Sequence, residues 1–256
     1  MITILINSQK DTDFLRRAYE GLENNIVLVN PSRERAEKVL AEHPNDMAML
    51  MGHGSPSGLF SADWRGYIID SKNAHLLQNR EVIAIWCWAK EFGRKEGLKG
   101  FFTSMFISNI GEYNSYFRND RTQTHTEEEI FNGITDFVTD VNTYIKIGKP
   151  LNEWCDDLRN SADYSKNFVQ YNYDGLEYFD GNQDRVCDSN YVFLNESDGD
   201  GFASIDNEME TEYQLFAEEL TKEEILSSTI DELIERAYKE GFKAGYGSVL
   251  DFETIG

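Results

Sequence analysis

A histidine and a cysteine stand out because each follows a short, continuous apolar run. His53 comes after the run at 47–51, with a glycine on either side, and Cys87 comes after the run at 82–86. An imidazole can take the proton of a thiol or hold a thiolate beside imidazolium, and the thiolate is a strong nucleophile. The two side chains could therefore act as a catalytic dyad, provided that the fold brings them together.

Two backbone N–H groups close to this pair are candidates for stabilising a developing negative charge on oxygen. Gly54 follows the histidine and has no side chain to obstruct its N–H group. The N–H group of Cys87 itself is the second candidate. Two such donors aimed at one point could form an oxyanion hole.

The elements that must position these residues alternate along the first half of the chain. Apolar runs predict five strands, helical patterns separate most of them, and a hairpin is predicted at 58–70. The predicted strands are residues 2–6, 26–29, 47–51, 82–86 and 100–108. Continuous apolar strands separated by helices predict an α/β fold, with a mainly parallel sheet flanked by helices. Parallel strands end at one edge of the sheet, so we expect His53 and Cys87 at that edge.

The second half has a different character. Apolar residues at helical spacing predict helices at 127–145, 150–162 and 221–243, and a tyrosine-rich alternation predicts strands within 168–194. Residues 166–256 carry 22 acidic and 6 basic side chains. We therefore predict two parts. They are an α/β core at 1–165 and an acidic α+β C-terminal portion at 166–256, packed on the core.

Charge and cysteine content exclude several classes of protein. The 256 residues hold 46 acidic and 24 basic side chains, for a net charge of −22. Such a surface repels nucleic acid and anionic membranes, so neither is expected as a partner. Three widely separated cysteines (Cys87, Cys155 and Cys187) provide neither a disulfide framework nor zinc-ligand spacing, and they favour a reducing, cytoplasmic setting.

The arrangement around His53 and Cys87 resembles the caspase-like cysteine peptidases (clan CD), and most closely the bacterial CHAT-domain proteins. The residues that carry the resemblance are Met-Ala-Met-Leu-Met-Gly-His53-Gly54 and Val-Ile-Ala-Ile-Trp-Cys87. The order of strands, His-Gly, hairpin, helix and strand-Cys resembles the family over about residues 1–90. The helices at 127–162 resemble the pair that closes a CHAT domain, so the resemblance extends to about residue 165.

The resemblance implies a thiol protease in which His53 is the general base, Cys87 is the nucleophile and Gly54 is an oxyanion donor. It also implies a protein or peptide substrate, a regulatory protein partner as a further option, and no cofactor. Some family members place an acidic residue two positions before the cysteine, where this chain has Ile85. Together with Trp86 and Trp88, which flank the cysteine, Ile85 is a candidate for the substrate pocket.

A short acidic segment in the C-terminal portion resembles the start of an EF-hand calcium loop. Glu196, Asp198 and Asp200 occupy its first, third and fifth positions, and Gly201 its sixth. The twelfth position, which normally holds a bidentate glutamate, is Asn207. We therefore expect an acidic turn here, with calcium binding as the alternative.

Two hypotheses about function follow from these observations. The first is a cysteine endopeptidase that cleaves a peptide bond through an acyl-enzyme formed on Cys87. The alternative is a catalytically silent caspase-like protein that acts as an interaction or signalling module. Reactivity of the Cys87 thiol discriminates between them, because a nucleophilic cysteine is exposed and reactive whereas a core cysteine is inert.

Overall fold

A computed structural model describes residues 1–7, 10–118 and 122–181 of the chain. Their strands, in chain order, are β1 (Ile2–Leu5), β2 (Ile26–Val29), β3 (Ala48–Met51), β4 (Gly54–Ser55), β5 (Gly58–Phe60), β6 (Tyr67–Asp70), β7 (Glu81–Ile85), β8 (Lys99–Phe102) and β9 (Glu177–Asp180). Six of them form one sheet in the order β2-β1-β3-β7-β8-β9, and β4, β5 and β6 form a small antiparallel sheet.

The six-stranded sheet confirms the predicted α/β class. Its first five strands in space are parallel, and β9 closes the edge beside β8 in the antiparallel direction. Every residue of β1 and β3 is buried. Such strands are continuous apolar runs because helices or further strands cover both faces of a parallel sheet.

Helices cover the sheet on both sides. They are α1 (Arg33–Glu42), α2 (Ala89–Lys95), α3 (Ile110–Tyr116), α4 (Glu127–Lys146), α5 (Trp154–Ser161) and α6 (Asn167–Asp174), with 3-10 helices at Lys10–Tyr19, Ala74–Leu77 and Leu151–Glu153. Side chains of α4, α5, α6 and the first 3-10 helix pack against one face of the sheet. The other face packs against α1, α2 and the small antiparallel sheet. Alternate residues of each strand enter the two cores, as the two-residue period of a strand requires.

Helix α4, the longest among the described residues, confirms the prediction made for residues 127–145. Thr126 caps its first turn by accepting a hydrogen bond from the Glu129 N–H, and the Glu129 carboxylate accepts one from the Thr126 N–H in return. Ile134, Phe137 and Val141 lie on its buried face. This reciprocal cap and the 3-4 spacing explain why the sequence pattern located the helix within one residue.

The prediction of strands from residue 168 onward was wrong for its first seven residues. Residues 167–174 form α6, whereas β9 within the same range is a strand. The side chains buried in α6 are Phe168, Val169, Asn172 and Tyr173, which share one face of a helix. The fifth strand is also shorter than expected, because β8 ends at Phe102 and the chain then follows an irregular path to α3.

The C-terminal portion is described as far as residue 181. Helix α6 and strand β9 follow residue 165, and β9 is hydrogen-bonded to β8. Residues 182–256 lie outside the described residues, so the predicted helix at 221–243, Cys187 and the calcium candidates Glu196, Asp198 and Asp200 stay predictions. Within the described residues, no helix has both the length and the apolar character needed to cross a membrane.

Candidate functional site

The register of two neighbouring strands sets the positions of His53 and Cys87. Met51 at the end of β3 pairs with Ile85 at the end of β7. The ladder continues for one more bond, because the Gly52 N–H donates to the Ile85 carbonyl at 3.1 Å. His53 and Cys87 each lie two residues beyond that pair, just after the ends of strands that run about 4.8 Å apart. Both residues therefore lie at neighbouring places on the carboxyl edge of the sheet.

His53 lies between β3 and β4, against an aromatic cluster. Its ring centroid is 5.0 Å from that of Trp64, and the Trp64 ring is 5.3 Å from the ring of Phe60. The backbone carbonyl of His53 accepts a hydrogen bond from the Phe60 N–H at 3.0 Å. Contacts from both the ring and the backbone thus hold the half-buried histidine in place.

Cys87 lies in the sharp turn that joins β7 to α2, and its side chain is partly exposed. The next residue, Trp88, caps α2 with a φ of 69°. This left-handed conformation is costly for a bulky residue, and such strain persists only where the surrounding structure enforces it. The thiol therefore lies in a strand-to-helix turn whose backbone conformation is tightly constrained.

Two tyrosines from distant parts of the chain pack against each other, and both interact electrostatically with Cys87. The rings of Tyr116, at the end of α3, and Tyr171, in α6, are 5.4 Å apart. Burial raises the pKa of both hydroxyls, and a negative charge on Cys87 raises both pKa values further. Both hydroxyls are thus electrostatically coupled to the thiol of Cys87.

Glu91 lies on the first turn of α2, four residues after Cys87. Burial raises the pKa of Glu91, and its charge in turn raises the pKa of Tyr171. Within the described part of the chain, its Oε2 atom is closed to solvent and has no hydrogen-bond partner.

Gly54, the predicted oxyanion donor, is the first residue of β4 and pairs with Leu59 of β5. The Phe60 N–H donates to the His53 carbonyl, so His53 and Phe60 form a hydrogen-bonded pair at the end of the β4–β5 ladder. Because bonded and non-bonded pairs alternate in antiparallel sheets, the Gly54 N–H points away from β5. That direction leaves it outside the β4–β5 ladder.

The three candidates for a substrate pocket lie in different environments. Ile85 and Trp86 are 3% and 2% exposed and belong to the cores on opposite faces of the sheet. Of the three, Trp88 alone has a partly exposed side chain. Their role in binding a substrate stays a prediction.

Several residues that surround the site could not be identified from the sequence. Trp64 contacts His53 from a loop. Tyr116 and Tyr171, which are electrostatically coupled to Cys87, lie on two helices that are remote along the chain. No local motif marks them, because their position depends on how those segments pack against the sheet. Glu91 lies four residues after Cys87 in the sequence. This spacing alone does not distinguish a residue of the site from a solvent-exposed helix residue.

Within residues 1–7, 10–118 and 122–181, no three histidine, cysteine or acidic side chains are arranged to hold a metal ion. No family model, curated protein or solved structure matches this chain.

Proposed function

We propose that this protein is a cysteine endopeptidase that uses His53 and Cys87 as a catalytic dyad. The observation that carries the proposal is the shared register of β3 and β7, because both residues lie two positions beyond the Met51–Ile85 pair. Thiol catalysis requires a histidine that can exchange a proton with the cysteine, and neighbouring places on one sheet edge support such an arrangement.

The reaction would follow the usual steps of acyl transfer. The His53 imidazole takes the proton of the Cys87 thiol, and the thiolate forms a bond to the carbonyl carbon of the substrate. The electron pair of the carbonyl moves onto oxygen, where the N–H groups of Gly54 and Cys87 stabilise it. The electron pair then returns from oxygen to re-form the carbonyl, the carbon–nitrogen bond breaks, and the imidazolium protonates the leaving amine. Water, deprotonated by the imidazole, finally adds to the thioester carbonyl, and the carbon–sulfur bond breaks to release the acid, while the imidazolium returns its proton to the thiolate.

The order of elements supports a caspase-like architecture for residues 1–165, close to that of CHAT-domain proteins. Between His53 and Cys87 the chain forms the small antiparallel sheet and the 3-10 helix at Ala74–Leu77 before it enters β7. That sequence of hairpin, short helix and strand is the one that the resemblance implies. We propose the fold family on this order and on the positions of the two residues.

Alkylation of the cysteines by iodoacetamide tests the proposal. The wild type and the His53→Ala variant are labelled from about pH 5 to pH 9, and mass spectrometry quantifies each cysteine separately. We expect Cys87 to react well below pH 8 in the wild type and to lose that reactivity without His53. Cys155 is the internal reference, because burial raises its pKa to about 11.

The alternative, a catalytically silent interaction module, is favoured by the aromatic ring that packs on the histidine. The ring centroids of His53 and Trp64 are 5.0 Å apart. If Cys87 in the folded protein reacts no faster than Cys155 at any pH, the peptidase proposal fails and this alternative takes its place.

A further inference from the structure

A single buried threonine holds both ends of the turn that contains Cys87. Thr103 directly follows β8 and has no exposed surface. Its hydroxyl accepts a hydrogen bond from the Trp86 N–H at 3.1 Å and donates one to the Trp86 carbonyl at 2.8 Å. Its own carbonyl accepts from the Lys90 N–H at 2.9 Å. The residues between these two attachment points are Cys87, Trp88 and Ala89.

The ladder between β7 and β8 fixes Thr103 in turn. Its N–H donates to the Ala84 carbonyl at 3.1 Å, which extends the pairing of the two strands by one residue. The threonine is therefore anchored to the sheet on one side and to the turn on the other. This anchoring can enforce the left-handed conformation of Trp88, which would otherwise relax.

The bond to the Trp86 carbonyl has a direct consequence for Cys87. That carbonyl and the Cys87 N–H belong to the same planar peptide unit, and in a trans peptide they point in opposite directions. Thr103 lies on the β8 side of β7, so the Cys87 N–H points toward the side on which β3 lies. His53 and Gly54 follow β3 and lie on that side.

We infer that Thr103 is a positioning residue that aims the Cys87 N–H at the oxyanion. Donation from its hydroxyl to the Trp86 carbonyl also polarises the shared peptide unit, which strengthens the N–H as a donor. The inference rests on the proposed function, because it assigns Thr103 to the oxyanion hole of the same site. Thr103 acts through the peptide unit and not on the substrate itself.

A reversible aldehyde separates this role from general effects on the thiol. When the Cys87 thiolate adds to a peptide aldehyde, a carbon–sulfur bond forms and the carbonyl electron pair moves onto oxygen, while the proton of the thiol stays on the imidazolium. The negatively charged oxygen of the resulting hemithioacetal is stabilised by the oxyanion hole. Alkylation by iodoacetamide displaces iodide at a saturated carbon and does not need it. The two reagents therefore report on different parts of the site.

The probes are N-acetylated tripeptide aldehydes that differ in their last residue. The dissociation constant of each aldehyde is measured from the protection that it gives Cys87 against iodoacetamide. In Thr103→Val, which removes the hydroxyl but keeps the shape, we expect binding of the best aldehyde to weaken by about tenfold or more. The alkylation rate without aldehyde should stay within about twofold to threefold of the wild type. Thr103→Ser keeps the hydroxyl and should restore aldehyde binding.

Thr3→Val is the matched control for the loss of a buried hydroxyl. Thr3 is fully buried in β1, and its hydroxyl donates to the Asn25 side chain at 2.9 Å, outside the candidate site. We expect Thr3→Val to leave aldehyde binding unchanged. If Thr103→Val does not fold, Thr103→Ala takes its place in the comparison.

Two results would overturn the inference, and they are distinguishable. If an aldehyde protects Cys87 in the wild type and binds Thr103→Val equally well, Thr103 does not position the donor, while the proposed function stands. If no aldehyde in the panel protects Cys87 in the wild type, the peptidase proposal fails and the inference fails with it.

Discussion

The indole ring of Trp86 lies directly against the backbone of Gly54. A Cβ atom on that glycine would come within 2.6 Å of the Trp86 Cγ atom and within the same distance of the Gly58 carbonyl oxygen. The indole Nε1 also donates to the Ser55 carbonyl at 3.2 Å. The residue that precedes Cys87 thus contacts the strand that follows His53, and this contact joins the two halves of the candidate site.

A methyl group at position 54 should therefore disturb the site directly. We expect Gly54→Ala to lower the free energy of unfolding by about 1–3 kcal/mol, as overpacking of a tight contact does. We also expect it to reduce the rate at which iodoacetamide labels Cys87. Urea unfolding and mass spectrometry of the labelled cysteines measure the two effects.

Gly111→Ala provides the matched control, because a Cβ atom there meets the Asn109 Oδ1 atom at 3.1 Å and nothing else within 4 Å. It should change the stability much less than Gly54→Ala and leave the labelling of Cys87 unchanged. Equal stability losses in the two variants would contradict the tight contact between Gly54 and Trp86.

The sequence predicted the parts of the site that depend on the sheet. The runs before His53 and Cys87 are apolar because β3 and β7 are buried on both faces, so a pattern of residue types sufficed to recognise the strands. The parallel order then placed the two residues at one edge. No contact with a distant segment was needed for that conclusion.

The sequence did not predict the residues that depend on long-range packing. Tyr171 lies on α6, whose alternating tyrosines resembled a strand, and the helix is explained only by the face that packs on the core. Trp86 was predicted to be a pocket candidate by its place beside Cys87. The structure places its ring between Gly54 and Phe92, a packing arrangement that adjacency in sequence does not reveal.

The left-handed backbone at Trp88 predicts an unusual order of stability for substitutions. Glycine adopts a positive φ without cost, whereas an L-residue in this conformation is destabilised by about 1–2 kcal/mol. We therefore expect Trp88→Gly to be more stable than Trp88→Ala by about 1 kcal/mol in urea unfolding.

The opposite order is expected at Glu128, an exposed residue in the first turn of α4. There glycine should be less stable than alanine by about 1 kcal/mol, because its flexibility opposes helix formation. The same order at both positions would show that Trp88 does not hold a positive φ in solution.

Glu91 should make the stability of the protein depend on pH in a direction unusual for a carboxyl group. Burial is the main cause that raises its pKa, so the folded state keeps the proton to a higher pH than the unfolded state does. The stabilisation from the protonated Glu91 carboxyl is fully present below its pKa in the unfolded chain, about 4.3. It is lost as the pH rises through the higher pKa that Glu91 has in the folded protein. We expect Glu91→Gln to be more stable than the wild type at pH 8, and the difference to vanish below about pH 4.

Glu34→Gln is the control for Glu91, because hydrogen bonding to its own backbone N–H lowers the pKa of Glu34. This substitution should not stabilise the protein at pH 8. Urea unfolding of all three proteins at both pH values makes the comparison. A Glu91→Gln variant less stable than the wild type at pH 8 would mean that the carboxylate has a favourable partner in the folded protein.

An ion pair between α1 and β6 should stabilise the fold in the more usual direction. The Arg33 guanidinium donates two hydrogen bonds to the Asp70 carboxylate, both at 2.7 Å, and this interaction is the main cause that lowers the pKa of Asp70. The stabilisation is present above the unfolded pKa of about 3.9 and is lost as the pH falls through the folded value. We expect Asp70→Asn to lower the free energy of unfolding at pH 7 by about 1–3 kcal/mol, because the bidentate pair is largely shielded from solvent.

The difference between Asp70→Asn and the wild type should then shrink as the pH falls below about 4. Glu42→Gln removes an exposed pair with Lys38, whose closest atoms are 3.8 Å apart, and should change the stability by less than about 0.5 kcal/mol at any pH. Urea unfolding of the two variants at pH 7 and at low pH tests both expectations. A loss in Asp70→Asn that is the same at both pH values would show that the carboxylate charge is not the source of the stabilisation.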